Sequence, residues 1–152
     1  MNWGAAATAV VGVTGIAGTF FAPYWGQSKL EGRRARSSFR KARRLVLDEV
    51  ASLIAQLDLM LKAQRAPDDS TTALETPRWT QHAETLADYL EEGTWETVCD
   101  FFETTAILRR IVLGFSAGTP YNPDALALIS NSRGQAGEAA TALHEASKPD
   151  IA

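Results

Sequence analysis

Two histidines, one cysteine and a run of carboxylates are the side chains with most chemistry to offer in this 152-residue chain. His82 and His144 stand far apart, and neither lies in a His-x-x-x-His or Glu-x-x-His spacing. That argues against a zincin-type zinc site and against a di-iron centre of the helical-bundle kind. Cys99 has no cysteine partner and no adjacent basic residue to hold it as thiolate, so it reads as a small core thiol. Gly12-x-x-Gly15-x-x-Gly18 lies in an uncharged run without lysine and is no phosphate loop. Asp88, Glu91, Glu92, Glu96, Asp100 and Glu103 surround Gly93. Asp100 and Glu103 fall one helical turn apart, as carboxylate metal ligands do, but solvated helix surface is the simpler reading. Arg109 and Arg110 follow on the same helix and offer ordinary ion pairing. The expectation is a non-enzymatic protein with no cofactor and no metal.

Trp79, Trp95, Phe101 and Phe102 are dense beside an expected helix–helix turn. Such a group forms the main core, or else a patch that binds a partner.

The elements that must position these residues begin with an electrically silent stretch. Residues 4–22 contain no charged side chain, and the 19 residues from 26 to 44 carry eight Lys or Arg. As a helix, the uncharged run covers about 28 Å, close to a bilayer's hydrocarbon thickness. Trp3 at one end and Tyr24 with Trp25 at the other suit the two membrane interfaces, and Pro23 is expected to end the helix there. A cleaved signal peptide normally opens with positive charge, whereas no basic residue precedes Lys29.

Basic clusters beside a span stay on the cytoplasmic side, so Lys29, Arg33, Arg34, Arg36, Arg40, Lys41, Arg43 and Arg44 place the N-terminus outside. Residues 27–44 carry a net +7 and the remainder from Leu45 a net −10. That polarity suits anionic lipid headgroups next to the membrane; nucleic acid is disfavoured, since only Phe39 interleaves the cluster. Within the run, Ala5, Thr8, Gly12, Gly15, Thr19 and Ala22 follow a 3-4 spacing. Such a stripe of small residues allows close helix pairing in lipid.

The rest reads as helix throughout. Phe39, Val46, Val50, Leu53, Leu57 and Met60 keep a 3-4 spacing, widened by Leu47, Ile54 and Leu61 to the face of a globular bundle helix. Residues 66–76 read as a polar loop, and Thr76-Pro77 as a capped helix start. Trp79, Ala83, Leu86 and Leu90 face inward on that helix, which Gly93 should stop. Thr94 caps the next, where Val98, Phe101, Thr105, Leu108, Val112 and Phe115 repeat the pattern and Phe102 and Ile111 broaden it. Asn122-Pro123 opens a weakly apolar last helix to about Ala146, loosened by Gly134 and Gly137. The expected fold is all-α: a transmembrane anchor (1–26), a basic juxtamembrane helix segment (27–44), an antiparallel bundle of about four helices (45–146) and a flexible tail (147–152).

The run VVGVTGIAGTFFAPYWGQ leading into RRARSSFRKARR resembles small single-pass membrane proteins of actinobacteria and their phages. Over about the first 45 residues, that resemblance implies a membrane location and no activity or site residues. The expected role is therefore a bacterial inner-membrane protein with a cytoplasmic bundle that self-associates or recruits a partner. A membrane-perturbing effector, such as a holin-like lysis or phage-defence protein oligomerising through its membrane helix, is the alternative.

Overall fold

Long apolar periodicities and few interior breakers leave this chain little but helix. The computed structural model describes the backbone of residues 4–69 and 73–146 and the side chains of residues 31–69 and 73–146. Four helices are described: α1 (Gly4–Ala63), α2 (Pro77–Ala87), α3 (Glu92–Leu113) and α4 (Pro123–Glu145). Among the described residues there is no strand, only one isolated antiparallel bridge between Arg65 and Pro120. Among them, too, no helix is long and apolar enough to cross a membrane. The side chains of the uncharged run lie outside the described residues, as do those of Trp3, Tyr24, Trp25 and Lys29 and the tail from residue 147.

One expected boundary is corrected. Pro23 does not end a helix, because α1 continues through it as a single 60-residue element. Proline removes one backbone donor and crowds the preceding turn, costing about 3 kcal/mol. Helix propagation on both sides adds a bond for every further residue fixed, and outweighs a single loss.

Contacts divide the chain into two units, with the break between Ser37 and Ser38. Up to Ser37, the described chain is the N-terminal part of α1. The unit that begins at Ser38 is a helical bundle, so residues 38–44 of the basic segment belong with it. Phe39, Ala42, Val46, Val50, Leu53, Leu57 and Met60 are its buried contribution from α1.

Hydrogen bonds and ring contacts fix the directions of the helices. The start of α2 lies on Glu49 of α1, whereas Tyr89, just beyond its end, meets the Phe39 ring edge-on at 5.7 Å. Helix α2 therefore runs antiparallel to α1. The chain then climbs α3 and crosses beside the end of α1, where the Tyr121 N–H donates to the Gln64 carbonyl at 3.0 Å. Helix α4 returns past Asp58, which pairs with Arg133 at 2.7 Å, to Arg43, which donates to the carbonyl of Ala146. The result is an up-down-up-down bundle.

With 11 residues, α2 is half the length of α3, and the loop before it completes that wall. Ala66, Ala73 and Leu74 are buried there, although residues 66–76 look polar in sequence. Leu74 adopts φ 56°, a left-handed conformation held by its N–H donating to Gln56 Oε1 at 2.9 Å. The fourth wall is thin in another way. Helix α4 turns Ala125, Ile129, Ser132, Ala136, Ala139 and Leu143 inward, and the small side chains of the three alanines and Ser132 let it pack close to α3.

The turn between α2 and α3 also departs from expectation. Gly93 is not a stop, since α2 ends at Ala87 and Gly93 lies inside the first turn of α3. The N–H groups of Asp88 and Leu90 close on Glu84 and Leu86, so the stop is a tight backbone turn locked by buried Leu86.

Candidate interaction surfaces

The aromatic group comes together, with its two phenylalanines in the core and its two tryptophans packed half-buried against them. Trp79 stacks on Phe102 with centroids 4.3 Å apart and planes 4° from parallel, and Trp95 lies 5.4 Å from Trp79. Phe101, 4.9 Å from Phe102, is fully buried, and Phe102 is 3 % exposed. Neither phenylalanine is open to a partner. Only the half-buried edges of Trp79 and Trp95 reach the surface.

What holds Trp79 there is a residue with no sequence signal for the task. Thr76 makes no side-chain cap bond to α2. The cap comes from another helix: Glu49 of α1, 6 % exposed, accepts from the N–H groups of Arg78 at 2.9 Å and Trp79 at 2.7 Å through its two carboxylate oxygens. Two orphan donors and the positive end of the helix dipole thereby meet one buried charge. Arg78 adds an exposed pairing to Asp48 at 3.9 Å. The pattern Phe39–Val46–Val50–Leu53 puts Glu49 beside the core face, but its partner lies 29 residues away, beyond the reach of local reading. Asn122, in contrast, caps its own helix α4, accepting from the Ala125 N–H at 2.7 Å.

Cys99 is half-buried on α3. Burial, then the carboxylates of Glu103 and Asp100, push its thiol pKa upward, so nothing there favours a thiolate. Asp100 and Glu103 are exposed, and no group of acid, histidine or cysteine side chains suited to a metal occurs among the described residues.

The basic segment is divided by the fold. Arg33, Arg34, Arg36, Arg40, Lys41 and Arg44 are exposed. Arg43 is not part of that surface: it lies half-buried over the Phe39 ring, 6.0 Å from its centroid, and closes the end of α4 through Ala146. It serves as a tie at the end of the bundle. The small-residue stripe Ala5, Thr8, Gly12, Gly15, Thr19 and Ala22 lies among residues whose side chains are outside the described set.

Some large apolar side chains on α3 reach solvent. Ile111, placed by its periodicity on the broad face of α3, is 39 % exposed, and Ile107 one turn before it is 56 % exposed. A helix with a close partner on one side, α4, and only a half-length one on the other leaves part of its flank uncovered.

No family model, curated protein or solved structure matches the chain.

Proposed function

We propose that this chain is a single-pass protein of a bacterial cytoplasmic membrane, with its N-terminus outside. On the cytoplasmic side it presents a helical bundle for self-association or partner recruitment, without catalysis. One observation carries the reading: residues 4–22 hold no charge, and a net +7 follows at once over residues 27–44. Hydrocarbon rejects charged side chains, and anionic headgroups attract them just beyond it. A helical backbone through the uncharged run and the basic segment alike supports it, since helix satisfies its own backbone groups in lipid. In this reading Lys29, Arg33, Arg34 and Arg36 meet headgroups, and confinement to a surface raises the bundle's effective concentration for its partners.

Alkaline carbonate extraction of membranes from cells expressing the full chain tests location, and the expected result is retention in the pellet. Direction is read by introducing Asn2→Cys in a Cys99→Ser background. An impermeant maleimide should label it in intact cells. Release into the carbonate supernatant, or labelling only after lysis, overturns the location or the direction respectively.

A further inference from the structure

Two exposed ridges of opposite sign stand on alternate corners of the bundle. On α1, Arg40, Lys41 and Arg44 point away from the side that buries Phe39, Ala42 and Val46. On α3, Glu92, Glu96, Asp100 and Glu103 recur at 4-4-3 spacing and form one exposed ridge, opposite buried Val98, Phe101, Thr105 and Leu108. The described ion pairs engage Asp48, Glu75 and Asp58, and none of these seven ridge residues.

The fold keeps the two ridges from neutralising one another. Helix α1 bonds to α2 and α4, α3 packs on the same two helices, and each ridge lies on the side of its helix away from the buried residues, so within one copy the two ridges do not face one another. They also lie at the same height. The contact of Phe39 with Tyr89 sets the α2–α3 turn level with the beginning of the bundle, and α1 and α3 then run the same way. Arg40 and Arg44 thus step along one corner as Glu92 and Glu96 step along the other, each pair four residues apart.

We propose that the protein assembles head to tail, the α1 ridge of each copy docking on the α3 ridge of the next. Occupancy by a second copy follows from the charge match, the shared spacing and the shared height. Two like-oriented copies side by side bring Arg40 and Arg44 of one against Glu92 and Glu96 of its neighbour without a vertical shift. Because the two surfaces differ, the contact is heterologous and grows into rows or rings instead of closing as a two-fold dimer. The proposal rests on the membrane reading only for the common orientation of the copies.

The test uses the full chain in a mild non-ionic detergent, with a carbodiimide that joins lysine to carboxylate without a spacer. At low salt the expected product is a ladder extending past dimer, with Lys41 linked to Glu92, Glu96 or Asp100 in peptide maps. Raising salt from about 50 mM to about 500 mM shortens the screening length and should remove the ladder. Two triple variants, R40E/K41E/R44E and E92K/E96K/D100K, should each lose it while keeping wild-type helicity by circular dichroism. Mixing the two restores opposite signs across every contact and should restore the ladder.

A single species at every salt concentration, a ladder indifferent to both variants, or well-folded variants that fail to rescue each other overturns the proposal. So does a R40E/K41E/R44E variant that loses binding to anionic vesicles while its assembly is unchanged, since the ridge then serves lipid. A chain that forms the ladder yet leaves membranes in carbonate keeps this assembly and ends the membrane reading.

Discussion

Glu49 shows how a single side chain joins local structure to the core. A carboxylate with 6 % exposure is tolerated because two backbone donors and a helix terminus meet it. Glu49→Ala leaves those donors without an acceptor in a half-buried setting and should destabilise the bundle by about 1–3 kcal/mol in urea unfolding. Glu49→Gln, which keeps one acceptor oxygen, should cost less. Equal losses in both variants would mean that packing, not capping, gives the residue its weight. Cys99 supplies a pH prediction at the same scale. Burial and two neighbouring carboxylates raise its pKa, so the folded thiol keeps its proton to higher pH than a free cysteine. Its alkylation rate by iodoacetamide should be slow at neutral pH and rise only above the ordinary thiol range. Glu103→Gln should move that profile toward lower pH. Sequence alone made Cys99 an unactivated thiol from its missing basic neighbours. It gave no sign of Glu49, whose partners come from a helix it meets only after the chain has turned.

At the scale of elements, periodicity found the helices and missed their joints. The apolar stripe of α1 and that of α3 from Val98 to Val112 are buried as spaced, because burial on one side of a helix repeats with the helix period. Joints depend on which backbone groups find partners, and there Gly93, Pro23 and Thr76 do not act as their residue types suggest. The glycine yields to the backbone turn over buried Leu86, and the threonine to the carboxylate that Glu49 extends from α1. Two joints make quantitative predictions. Gln64 follows α1 with φ 53°, a conformation that costs any residue with a Cβ, while its N–H closes on Met60 at 2.8 Å. Gln64→Gly should raise stability by about 0.5–1 kcal/mol in thermal unfolding. Inside α4, a methyl group at Gly134 would meet nothing within 4 Å, and at Gly137 only the Arg133 side chain at 3.8 Å. Each Gly→Ala change there should stabilise by about 0.5–1 kcal/mol, chiefly by restricting the unfolded chain. If either one destabilises instead, α4 has a close neighbour on its outer face in solution.

For the whole molecule, charge is sorted along the chain as well as across the bundle: none in residues 4–22, a net +7 over 27–44 and a net −10 beyond. That order was fully legible in the sequence, because charge needs no fold to be counted. The separation of ridges onto alternate corners was not, since it depends on which helices become neighbours. The two kinds of order predict different behaviour when the uncharged run is removed. The bundle's core starts at Phe39, so a chain lacking residues 1–26 keeps every buried side chain among the described residues. It should retain its helical circular dichroism and its unfolding midpoint, yet float free of neutral phosphatidylcholine vesicles. Against vesicles with a substantial fraction of anionic lipid, the remaining cations should still bind at about 1 kcal/mol each near the surface. That binding should vanish as salt rises, because screening acts on exposed charge and leaves apolar burial intact. Full-length protein differs if residues 4–22 sit in hydrocarbon: its association with neutral vesicles should persist at any salt concentration. Salt-sensitive release of the full chain would leave only headgroup attraction, and the uncharged run would then have to be buried against protein.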